Sequence, residues 1–185
     1  VLSAFTGVSK AISTTAARTK TVAVNGGGVG PDLASLGAYF WNVIPLATDE
    51  VKAILPYLIK EKNLKKFVLV YVDDPLGEGI RKELETSLAQ AGGELAESLS
   101  VPATMQQFAG IAARVRAANP DVIYIASYGS QQSQMIKQFR DNGVKQQIAS
   151  YSAFSIPETN ALPQAKEAVY TTQNIDWKSA DPVTK

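Results

Sequence analysis

The hydrophobic positions of this chain change period several times. Val51, Ile54, Leu55, Leu58 and Ile59 stand at i, i+3, i+4, i+7 and i+8, which predicts an amphipathic helix over residues 49 to 62. Pro56 falls inside it and is expected to kink that helix or shift its start. Residues 66 to 72, "KFVLVYV", form an unbroken apolar run rich in β-branched residues. Such a run predicts a strand covered on both faces, as in a parallel sheet. "DVIYIAS", residues 121 to 127, reads the same way. Helical spacing covers residues 78 to 91, stopped by Gly92 and Gly93, then 106 to 118, ended by Asn119 and Pro120, then 131 to 142, stopped by Gly143. Residues 94 to 101, "QIASY" and "AVYTT" read as strands, with a short helix after Pro157. Strands alternating with helices of 11 to 15 residues define βαβ units, hence an α/β fold with a parallel, doubly wound sheet.

The front of the chain is less regular. Residues 1 to 5 read as the end of a strand, and Thr6 as the N-cap of a helix over roughly 8 to 18. "TVAV" is a short strand running into the glycine-rich "NGGGVG", and "AYFWNVIP", residues 38 to 45, is extended and closed by Pro45. That extended segment is the one hint of a boundary.

Composition narrows the chemistry. The 185 residues carry 18 basic and 17 acidic side chains, a net charge of +1 without long charge runs, so nothing suggests a nucleic-acid partner. There is no cysteine and no histidine, which removes thiolate metal sites, disulfides and Ser-His-Asp catalysis from this chain. No apolar run approaches the roughly 20 residues that span a bilayer. Val1 is not a methionine, and the expectation is that the chain begins inside a fold, with any signal peptide upstream.

Four strand ends carry the candidate chemistry. In the glycine loop, Gly26 and Gly28 fit the first positions of a dinucleotide fingerprint, but its sixth position is Pro31, and neither a Lys-Ser/Thr pair nor a prompt helix follows. The loop is either a flexible turn or a close approach of backbone N–H groups to a small ligand. Asp73 and Asp74 end the strand of residues 66 to 72. Adjacent residues there point opposite ways, so helix capping by Asp74 is expected rather than a metal site. Tyr128 follows the next strand and either lines a cleft or packs on the surface. Tyr151, Ser152 and Phe154 follow the third, offering hydroxyls and an aromatic face to a ligand, or packing on the core. Small polar residues, glycines and aromatics without an acid–base set describe a binding cleft more than an active site.

These segments, in this order, resemble a known family. "FTGVSKAIS", "GGVGPDL", "AYFWNVIP", "KKFVLVYVDDPLGEGIRKEL" and "ARVRAANPDVIYIASYGSQQSQMIKQFRDNGV" together are similar to the type I periplasmic solute-binding proteins, within them to the branched-chain amino-acid (Leu/Ile/Val) receptor group of ABC importers. The resemblance runs across essentially the whole chain. It implies two Rossmann-like lobes with parallel sheets joined by hinge strands, and ligand closed between them. Residues 1 to 43 would end the first lobe, 44 to 168 form the second, and 169 to 185 begin the return, so that the chain is a central fragment. It further implies that Thr6 and neighbouring N–H groups at a helix N-terminus hold a ligand carboxylate. Gly27 and Val29 would offer the glycine loop's backbone, and Leu76, Tyr128 and Ser152 would line the pocket, with Phe154 beside it. Leu76 replaces a tyrosine common in amino-acid receptors, and Ser152 stands near the position of the acid that pairs with an ammonium. The ligand expected is therefore a carboxylate without an ammonium, since a buried ammonium lacking its partner is costly. Neither catalysis, cofactor nor metal is expected. The implied partners are a small-molecule ligand and ABC permease subunits, the implied location periplasmic or extracytoplasmic. The alternative is a ligand-sensing domain of a regulator or receptor with the same fold.

Overall fold

The computed structural model describes residues 1 to 173. Two parallel sheets organise them. The smaller contains β1 (Leu2–Ser3), β2 (Ala23–Asn25) and β3 (Phe40–Asn42) in that order. The helix α1 (Thr6–Thr19) connects β1 to β2, and a 3-10 turn over Pro31–Ser35 precedes β3. Then follow α2 (Ala47–Pro56), β4 (Lys66–Val72), α3 (Pro75–Ala91), β5 (Glu94–Val101), α4 (Ala109–Ala118), β6 (Val122–Ala126), α5 (Gly129–Asp141) and β7 (Gln147–Ser150). A short α6 (Pro157–Asn160) leads to β8 (Val169–Tyr170). The five later strands lie in the order β5-β4-β6-β7-β8, all parallel. The chain reverses its direction of winding between β4 and β6, and ligands in open α/β sheets bind at such a point. Residues 169 and 170, expected to begin the return, pair in this larger sheet.

The apolar run of β4 explains its central place. Phe67, Leu69 and Tyr71 face one core, shared with Tyr124, with Ile54 of α2, with Leu58 just after it, and with Ile80 and Leu84 of α3. Val68 and Val70 face the other, built with Val115, Met135, Ile136 and Phe139 of α4 and α5. Both faces being covered, no polar alternation is possible along the strand.

Two local expectations are corrected and a third is met. Thr6 is the first helical residue of α1, and Phe5, with φ −127° and ψ 144°, is the N-cap, without a side-chain cap bond. Pro56 ends α2 instead of kinking it; the chain passes into one wide turn over Tyr57–Glu61, as suits a residue with no N–H to donate. Asp74 caps α3 as expected, its Oδ1 accepting the Gly77 N–H at 2.8 Å.

Candidate functional site

A cleft of about 440 Å³ opens where the carboxyl ends of both sheets face each other. Every wall follows a strand end. Phe5, Thr6 and Gly7 follow β1, and Gly27 to Val29 follow β2. Asp74 to Leu76 follow β4, Tyr128 and Gly129 follow β6, Tyr151 to Ala153 follow β7, and Gln173 follows β8. Six of the seven residues singled out from the sequence come together here: Thr6, Gly27, Val29, Leu76, Tyr128 and Ser152.

Phe154 does not join them. It is fully buried in the core beneath α5, its ring stacked on Tyr170 with centroids 4.8 Å apart. The turn over Ser152–Ser155 changes side-chain direction from residue to residue, so Ser152 and Ser155 line the cleft while Phe154 between them faces the core.

On the first wall, α1 begins with an uncapped end. The Phe5 side chain has no acceptor to offer, and the first amide bonded back is that of Ser9, to the Phe5 carbonyl at 2.8 Å. The N–H groups of Thr6, Gly7 and Val8 therefore have no acceptor among the described residues, and the open end of the helix meets the cleft at Thr6 and Gly7. Open N–H groups and the positive end of the helix dipole favour an anion. The Thr6 hydroxyl is already engaged, accepting the Gly30 N–H at 3.0 Å.

The glycine loop works differently from the expectation. The N–H groups of its glycines serve its own chain. Asn25, fully buried, accepts the Gly28 N–H at 2.8 Å and the Gly27 N–H at 3.3 Å on Oδ1, and donates to the Gly28 carbonyl and to Asn42. The Gly26 N–H goes to the Ser3 carbonyl. A Cβ on Gly27 would stand 2.8 Å from the Ala4 carbonyl oxygen, and one on Gly28 3.0 Å from the Phe5 carbonyl carbon. The glycines thus let the loop lie directly on the backbone that leads into α1. Asn25→Ala is expected to lower stability by about 2 kcal/mol, since buried N–H groups lose their acceptor, and thermal unfolding checks it.

On the opposite wall Tyr128 lines the cleft, 39% exposed, and its phenol donates to Asp74 Oδ2 at 2.8 Å. Partial burial, and then the Asp74 carboxylate it bonds, push its pKa up to about 12. Asp74 thus uses one oxygen to start α3 and presents the other at the reversal point between β4 and β6. Tyr151, buried, is held by its own O–H bond to the Ser127 carbonyl at 3.0 Å. Ser152 gives its N–H and its hydroxyl to the Glu50 carboxylate, at 2.6 and 2.8 Å. The sequence reading passed over Glu50, which sits in an ordinary helical pattern far from any strand end. It expected Asp74 to cap a helix, and Asp74 lines the cleft as well. No group of three or more metal-ligating side chains occurs among the described residues.

Residues 1–185 match the family described as periplasmic binding protein, and the chain belongs to that family. It is 22% identical over 126 residues to the leucine-specific-binding protein of Salmonella typhimurium, which covers 68% of this chain and 34% of that protein. The leucine-binding protein of Thermotoga maritima superposes with a TM-score of 0.83 at 20% identity, over 98% of this chain and 53% of that one. A solute-binding protein of R. palustris, solved with 4-hydroxybenzoate, superposes with a TM-score of 0.77 at 18% identity, over 89% of this chain and 45% of that one. The chain therefore spans about a third of the length of the curated relatives it matches and about half that of the solved structures. The α/β fold with parallel sheets is that of the type I periplasmic binding proteins.

Proposed function

We propose that the chain forms the ligand cleft of an extracytoplasmic solute-binding receptor of an ABC importer, and that the cleft holds a small carboxylate-bearing ligand without transforming it. The observation that carries this reading is the uncapped start of α1 at Thr6 and Gly7, opening into a cleft whose other wall is the Tyr128–Asp74 pair. The carboxylate lies on the N–H groups of Thr6 and Gly7. The apolar body packs on Leu76, Val29 and the Tyr128 ring, with Gly27 and Ser152 at the edges. Residues 1 to 43 belong to one lobe and 44 to 168 to the other, with the crossing segments as hinge. The importer role, the permease partners and the periplasmic location rest on the family and on what its relatives are named for. An ammonium on the ligand would meet Asp74, so the reading includes amino acids as well as simple carboxylates.

A thermal-shift panel on the full-length protein tests it, with leucine, 4-hydroxybenzoate, benzoate, 4-methyl-2-oxopentanoate and ATP. At a hundred times its Kd a ligand stabilises by about 2.7 kcal/mol. For a chain of this size that amounts to a shift of several degrees. A response to one or more carboxylates is expected. A response to ATP alone would contradict the reading.

A further inference from the structure

Glu50 is the buried acid that the binding role leaves unused. It lies in the first turn of α2, is 4% exposed, and pairs with no lysine or arginine among the described residues. A carboxylate so placed needs hydrogen-bond donors on both oxygens, and it has four. Oε2 accepts the Ser152 N–H and the Thr171 hydroxyl, each at 2.6 Å. Oε1 accepts the Ser152 hydroxyl and the Gln173 side-chain amide, each at 2.8 Å. The same Gln173 amide donates to the Pro45 carbonyl at 3.1 Å. One side chain therefore gathers the start of α2, the turn after β7, the chain after β8 and, through Gln173, the segment that leaves the smaller sheet. Of these partners, Ser152 and Gln173 line the cleft, whereas Glu50 does not.

We infer that Glu50 is a positioning residue: it holds Ser152 and Gln173 in the cleft wall and joins the outgoing and returning chain segments beside it. This rests on the cleft being the binding site proposed above, but the hold on Ser152 exists without ligand. The chemistry is that of an acceptor-only group matched to four donors. Glu50→Gln keeps the size and replaces one acceptor oxygen by an amide NH2: at the Oε2 position it faces the Ser152 N–H, at the Oε1 position the Gln173 amide, while the Ser152 and Thr171 hydroxyls can turn to accept.

The test is amide hydrogen exchange on ligand-free, full-length Glu50→Gln, followed by titration with leucine and with 4-hydroxybenzoate. The Ser152 N–H, or in the other orientation the Gln173 side-chain amide, is expected to exchange about tenfold faster or more, the equivalent of one lost buried acceptor, while the β4 and β6 amides keep their protection. Kd for the probe that binds is expected to rise about tenfold, and the rise to be largely absent when Ser152→Ala and Gln173→Ala are already present. A merely structural role would give additive losses. Thr171→Val removes one donor only and serves if Glu50→Gln does not fold; an intermediate rise in Ser152 exchange is expected. Unchanged exchange at both Ser152 and the Gln173 side chain, or a uniform rise across the sheet, overturns the inference. Wild-type protein that binds neither probe argues against the carboxylate reading, and the exchange result decides on Glu50 by itself.

Discussion

Gly77→Ala is expected to lower the melting temperature by about 6–12 °C and to weaken ligand binding together with it. A Cβ at this position would stand 1.9 Å from the Val72 carbonyl oxygen and 3.0 Å from its carbon. Both are backbone atoms of the central strand β4, which cannot give way as a side-chain tip can. The Gly77 N–H also holds Asp74 Oδ1. Relief of the clash must lift the first turn of α3 from the strand and carry Asp74 and Leu76 out of the cleft wall. Overpacking of this kind costs about 3 kcal/mol, and a chain of this size loses about 2–4 °C per kcal/mol. Gly110→Ala is the control. It lies in α4 with nothing within 4 Å of the added carbon. There the gain in helix propensity is expected to raise stability by up to about 1 kcal/mol. Circular dichroism melts of the two variants, with a titration of each, check both halves.

Phe154→Ala is expected to cost about 3–5 kcal/mol, the range for removing a buried aromatic ring, while the ligand response at saturation is retained. The ring is fully buried among core residues and stacked on Tyr170. Its loss leaves a hole below the sheet, not a gap in the cleft. Denaturant unfolding gives the first quantity and titration of the folded protein the second. A variant that kept its stability and lost its ligand would return Phe154 to the site.

These cases show what a one-dimensional pattern holds. The run from Phe67 to Val72 announced a central strand because burial on both faces suppresses alternation. Gly92 and Gly143 announced helix ends because each takes positive φ, 80° and 77°. The strand ends followed, and with them six cleft residues. Direction within a turn was not legible: Ser152 and Phe154 are two positions apart, and the 3-10 geometry that parts them leaves no periodicity. The meaning of a glycine was legible only in part. Gly27 and Gly28 did signal close approach of backbones, but the partner is residues 4 and 5 of the same chain, a contact across more than 20 residues that no local signal records. Glu50 was illegible for the same reason, because its donors stand 102 to 123 positions downstream.

The most direct measurement follows the backbone amides of isotope-labelled, full-length protein by NMR during titration with leucine and with 4-hydroxybenzoate. If the cleft between the two sheets is the carboxylate site, the Thr6 and Gly7 N–H signals move downfield as they gain an acceptor, with Tyr128 and Ser152 responding in the same titration. Thr6 and Gly7 signals that stay in place while a bound probe perturbs residues outside the cleft would contradict it.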